Sequence, residues 1–128
     1  MSHYHAVVWI DHAEARIFSF NAEDVQESLL HPDRTHLHLH HKAGSIGSGK
    51  AGPDAVFLGK VAESLRDFGE FLIVGPGNAK TEFADHIANH EPALRPKLMG
   101  IETVDHPTDG QIVAFARKYF RAADRMVH

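Results

Sequence analysis

Tyr4-His-Ala-Val-Val-Trp-Ile-Asp-His-Ala-Glu-Ala-Arg-Ile-Phe-Ser-Phe20 holds two apolar runs on either side of a short polar link. Tyr4 to Ile10 is rich in β-branched and aromatic residues. Glu14 to Phe20 alternates Ala15, Ile17 and Ser19 against Arg16, Phe18 and Phe20, so both runs are expected as strands. Asp11-His12-Ala13 between them is short enough for a hairpin, which makes the pair antiparallel. Val25 to Leu30 is a third strand candidate, ended by His31-Pro32-Asp33, and His36 to His40 could form a short further strand.

Working outward, the pattern changes. Pro53-Asp54 is a good helix start, and Phe57, Leu58, Val61, Leu65 and Phe68 then recur at helical spacing up to Gly69. Phe71 to Val74 is a short apolar run between Gly69 and Gly75-Pro76-Gly77, the signature of a buried parallel strand. A second helix is expected from Asn78, with Phe83, Ile87 and Ala84 inward, stopping before Pro92. Lys97 to Val104 gives a last strand, and Thr108 or Asp109 starts a helix with Ile112, Ala116, Tyr119, Phe120 and Ala123 on one stripe. Strands first, then helix, strand, helix, strand, helix, imply a single α/β domain over residues 1–128. It has three α/β/α layers and a mixed sheet with an N-terminal antiparallel hairpin, an arrangement that resembles ribonuclease H.

Composition bounds what such a domain can do. With 128 residues, 43% hydrophobic and 23% charged, the chain can bury roughly two thirds of its unfolded surface and is not a disordered segment. It has no cysteine, which excludes disulfides and thiolate metal sites. The longest apolar run, Ala6 to Ile10, is far too short to cross a bilayer, and Met-Ser-His-Tyr-His lacks the regions of a signal peptide, so a cytoplasmic location away from membranes is expected. A net charge of −4 argues against coating nucleic acid through global positive charge, yet Arg34 to Pro53 has no acidic residue and holds Arg34, Lys42, Lys50 and four of the twelve histidines.

Several constellations in this chain could carry chemistry. Gly44-Ser-Ile-Gly-Ser-Gly-Lys50 fits G-x-x-x-x-G-K, but Ala51 stands where a nucleotide-bound Mg²⁺ needs a hydroxyl, and Gly52-Pro53 delays the helix whose amides would hold phosphates. A small-residue surface loop explains the segment better, and its lysines can still meet RNA phosphates. On a strand, His36, His38 and His40 would share one face, as ligands for Zn²⁺, Ni²⁺ or Cu²⁺ or as a solvated face over packed leucines. Asp11-His12 and Asp105-His106 each follow an expected strand. If those strands are parallel, Asp11 and Asp105 reach one sheet edge, where they could bind Mg²⁺ or Mn²⁺ for phosphodiester hydrolysis, although turn and cap roles also suit them. Gly75 to Lys80 is a strand-to-helix turn able to meet an anion or simply to turn on its glycines. Arg117, Arg121 and Arg125, with Lys118, form a basic ridge that suits a solvated helix end or RNA.

The segments His5-Ala-Val-Val-Trp-Ile-Asp-His12, Glu14-Ala-Arg-Ile-Phe18, His41-Lys-Ala-Gly44, Gly47-Ser-Gly49, Leu72-Ile-Val-Gly-Pro-Gly-Asn-Ala-Lys80 and Gly100-Ile-Glu-Thr-Val-Asp-His-Pro-Thr-Asp109 together resemble the bacterial translational machinery proteins. Those in turn are similar to the central domain of eukaryotic and archaeal class I release factors and of Pelota. In a release factor, the loop after the third strand carries Gly-Gly-Gln, which assists peptidyl-tRNA hydrolysis on the ribosome. The corresponding stretch here has no glutamine, the chain's two being Gln26 and Gln111, so the resemblance implies the fold without the release chemistry, as in Pelota.

The expectation is a non-enzymatic, translation-associated RNA- or ribosome-binding module. Its RNA-contact candidates are Lys42, Lys50, His41, Gly47, Gly49, Lys80, Arg117 and Arg121. The alternatives are a metal-dependent nuclease using Asp11 and Asp105, or a metal-binding protein using His36, His38 and His40. No organic cofactor is implied, and exposed edges of the antiparallel half could support a homodimer.

Overall fold

The opening runs form the expected hairpin. β1 (His5–Ile10) and β2 (Ala15–Phe20) pair antiparallel, with His5 opposite Phe20 and Ile10 opposite Ala15. Asp11 makes the turn: its Oδ1 accepts the N–H groups of Ala13 at 2.8 Å and Glu14 at 2.9 Å, while its own N–H donates to the Glu14 carbonyl. Asn21 does the same at the next corner, accepting from Glu23 and Asp24, and β3 (Val25–Leu30) returns antiparallel to β2. The computed structural model describes residues 4–21, 23–32 and 54–127, with side chains as far as 122. The expected strand His36 to His40 and the glycine-rich stretch therefore lie outside the described residues.

Two further strands, β4 (Glu70–Gly75) and β5 (Leu98–Thr103), run parallel to β1 and give the sheet order β3-β2-β1-β4-β5. Successive side chains of β1 point to opposite faces, and both faces are buried. Ala6, Val8 and Ile10 join Ile17, Phe71 and Ile73 in a core covered by α1 (Ala55–Ser64) and α2 (Ala79–His90). Val7 and Trp9 join Phe18, Phe20, Leu72 and Val74 under Ile112, Ala116 and Phe120 of α3 (Asp109–Val127). These are the three layers and mixed sheet that the strand and helix order implies.

The helix starts follow from side-chain chemistry. Asp54 caps α1 by accepting from Val56 and Phe57, both at 3.1 Å. Thr108 and Gln111 close a capping box on α3: the Thr108 hydroxyl accepts the Gln111 N–H at 3.2 Å, and Gln111 Oε1 accepts the Thr108 N–H at 2.9 Å. The end of α1 differs from the expectation. The helix stops at Ser64 rather than Gly69, because the N–H groups of Leu65, Arg66 and Phe68 bond three residues back, to Ala62, Glu63 and Leu65. Phe68 still packs on the core, so its apolar spacing outlasts the helix. A 3₁₀ turn, Pro92–Lys97, follows α2 and buries Leu94.

The Gly75-Pro76-Gly77 turn also works differently from a turn built on glycine torsions. Among the described residues no glycine has positive φ. Gly75 is needed for proximity instead, since a Cβ there would run into the Ile10 carbonyl oxygen of the neighbouring strand.

Candidate functional site

Because β1, β4 and β5 are parallel, their C-terminal ends gather Asp11-His12, Gly75-Pro76-Gly77 and Asp105-His106 at one edge of the sheet. Open α/β sheets hold ligands at such an edge. Trp9, the single tryptophan and fully buried, organises it. Its Nε1 donates to the Asp105 carbonyl at 2.9 Å, tying the end of β1 to the segment after β5. The Arg16 guanidinium lies 4.9 Å from the Trp9 ring centre, and His106 packs 5.4 Å away.

Arg16 is fixed in turn by Glu14 at 2.8 Å and Asp109 at 3.0 Å. The bond to Glu14 leads over the opposing effect of burial in raising the pKa of its guanidinium. Glu27, on β3, stands beside Asp109, and its carboxyl is held above the usual glutamate range, first by desolvation and then by the neighbouring Asp109 carboxylate. Arg16, Glu14, Glu27 and Asp109 thus join β2, β3 and the start of α3.

Two hollows open at this edge. One, of about 440 Å³, is lined by Val74, Val104, Asp105, His106, Gln111 and Phe115. The other, of about 280 Å³, lies between Asp11, His12 and Pro76-Gly77-Asn78. The second faces the start of α2, where Asn78 makes no side-chain cap bond. Lys80 does not reach into it as an anion ligand would, because its Nζ donates to the Gly77 carbonyl at 2.6 Å. His12 Nε2 meets Glu82 Oε1 at 2.8 Å, bridging the hairpin turn to α2.

The sheet brings Asp11 and Asp105 to the same edge, but it gives them different work. Asp11 spends Oδ1 on its own turn, and Asp105 is an exposed carboxylate whose Oδ1 lies 3.0 Å from His106 Nδ1. Among the described residues no group of three or more histidines, aspartates or glutamates is placed to hold a metal ion. Lys42, Lys50, His41, Gly47, Gly49, His36, His38 and His40 lie outside the described residues. Arg117 and Arg121 are not near Lys80. Arg117 sits over the Phe20 ring at 5.4 Å and donates to the Asp24 carbonyl at 3.5 Å, at the opposite end of the sheet and on the face covered by α3. Arg121 follows one turn later, exposed.

Sequence reasoning missed the Arg16–Asp109 link and the His12–Glu82 contact. Partners 93 and 70 residues apart leave no local signal. It also passed over His86 and His90, whose spacing of four on α2 is visible in the sequence. Burial, followed by the neighbouring His90, lowers the pKa of His86.

No family model matches the sequence, and no curated protein matches it. Solved structures do. Pelota of Archaeoglobus fulgidus aligns over 89% of this chain with a TM-score of 0.61 and 17% identity. The fold is similar to that of a part of Pelota. The Pelota protein of Thermoplasma acidophilum aligns over 89% of the chain with a TM-score of 0.59 and 20% identity. The archaeal translation termination factor aRF1 aligns over 95% with a TM-score of 0.54 and 16% identity. The chain spans 30% and 32% of the two Pelota chains and 38% of aRF1, and at these identities the likeness is one of fold. No helix among the described residues is long and apolar enough to cross a membrane.

Proposed function

We propose that residues 1–128 form one domain of the release-factor and Pelota central-domain type, acting as a non-enzymatic RNA- or ribosome-binding module in the cytoplasm. The observation that carries this reading is the Pelota-like fold over 89% of the chain, combined with a segment between β3 and α1 that is basic, rich in glycine and without glutamine. Contact with RNA falls to Lys42 and Lys50, helped by His41 and the small residues Gly47 and Gly49, through phosphate charge rather than base recognition. Lys80 and the Arg117, Arg121 pair stand at opposite ends of the sheet, so they support contact with an extended partner only as separate patches. The resemblance to translational machinery proteins points to the ribosome as the partner. Co-sedimentation of the protein with ribosomes tests this: binding at low ionic strength, weakened by Lys42→Ala/Lys50→Ala, is expected, and absence of salt-sensitive binding would sink it.

A second reading draws on the parallel β1 and β5, which carry Asp11 and Asp105 to one edge. Metal-dependent cleavage of RNA or DNA there requires Mg²⁺ or Mn²⁺ and would be abolished by Asp11→Asn. Intact substrate after incubation with either ion retires it.

A further inference from the structure

His86 and His90 lie one helical turn apart on α2, and their ring centres are 4.9 Å apart with planes inclined by 43°. His90 is exposed and His86 half-buried, so the pair opens to solvent. Among the described residues neither imidazole makes a hydrogen bond to another group. Two carboxylates nearby are engaged elsewhere. Glu82, one turn before His86, meets His12, and Glu91 accepts from Arg66 at 3.2 Å.

That spacing suits a shared metal ion. With a zinc–nitrogen bond of about 2.0–2.1 Å, the metal lies about 3.2 Å from the centre of the ring that binds it. Two rings holding one ion at angles between about 90° and 109° then have centres about 4.5–5.2 Å apart, a range that contains the observed separation. Imidazole nitrogens are suitable ligands for zinc, nickel and copper, and a helix holds residues four apart on one face without rearrangement.

We propose that His86 and His90 chelate a divalent transition metal ion, with zinc as the reference ion, in a two-ligand site whose remaining positions are open to water. This site is distinct from the histidine run before the glycine-rich segment and does not depend on RNA binding. The chelate joins the last two turns of α2, so the ion stabilises the helix end that leads into the 3₁₀ turn.

Zinc titration of the protein carrying His36→Gln, His38→Gln, His40→Gln and His41→Gln tests the assignment, because the one run of neighbouring imidazoles in the sequence is then gone. One equivalent bound with micromolar affinity is expected, weakened at least about tenfold by His86→Gln or by His90→Gln and unchanged by Glu82→Gln. No zinc uptake, or uptake indifferent to both histidine substitutions, overturns the proposal. A second measurement leaves His86 and His90 intact: backbone amide resonances of Ile87 to Glu91 should shift on zinc addition. Shifts confined to other segments would place the metal elsewhere and also overturn it.

Discussion

At the scale of single residues, Glu27 shows how the fold works against one of its own side chains. Desolvation and then the adjacent Asp109 carboxylate raise the Glu27 pKa, so the folded protein favours the protonated carboxyl. The stabilising effect of that preference is complete below the ordinary glutamate value and is lost as pH rises through the raised folded value. At neutral pH the charged side chain therefore opposes folding. Glu27→Gln is expected to raise the thermal midpoint at pH 7 and to leave it nearly unchanged at pH 4, as followed by circular dichroism. A lower midpoint at pH 7 would show that attraction to Arg16 outweighs both other effects. None of this was legible in the sequence, where Glu27 is one polar residue of a strand candidate and Asp109 lies far along the chain. Gly75 was legible as a glycine needed at a turn, but for the wrong reason: its constraint is the closeness of Ile10, which arises only once β1 and β4 pair.

At the scale of elements, local chemistry carried most of the information. The hairpin was legible because its alternation and its Asp11 turn both act within a few residues. The capping box on α3 is equally local, and it accounts for Gln111, one of the two glutamines in the chain. Replacing Thr108 by alanine removes the acceptor for the Gln111 N–H and should cost about 1 kcal/mol. That corresponds to a fall of roughly 3–5 °C in the thermal midpoint. A midpoint unchanged within error would mean that α3 is held by Ile112, Ala116 and Phe120 alone. The end of α1 was less legible, because Phe68 keeps its place on the core after the backbone has tightened into three-residue turns. The pairing of His86 with His90 was hidden for a different reason. The apolar stripe that marks α2 as a helix runs through Phe83 and Ile87, and the imidazoles occupy another stripe.

At the scale of the whole molecule, the order of strands and helices was enough to give the three layers, since a hairpin followed by two strand–helix–strand crossovers leaves few alternatives. The placing of Asp11 and Asp105 was legible once their strands were read as parallel, but the scatter of the basic residues was not, because it depends on which sheet end each one reaches. Asp11 and Asp105 lie at one edge, on either side of the end of β4, whereas Lys80 and Arg117 are sent to opposite ends and opposite faces. The proposed RNA contact is therefore centred on the basic segment between β3 and α1, with no acidic residue from Arg34 to Pro53. The most direct test is the affinity for purified ribosomes measured across a series of salt concentrations, for the unaltered protein and for Lys42→Ala/Lys50→Ala. The expected result is an affinity that falls with salt, with a logarithmic slope shallower by roughly 1.4 in the double variant, about 0.7 for each single-stranded RNA phosphate that no longer meets a lysine. Equal slopes and equal affinities for the two proteins would contradict the account.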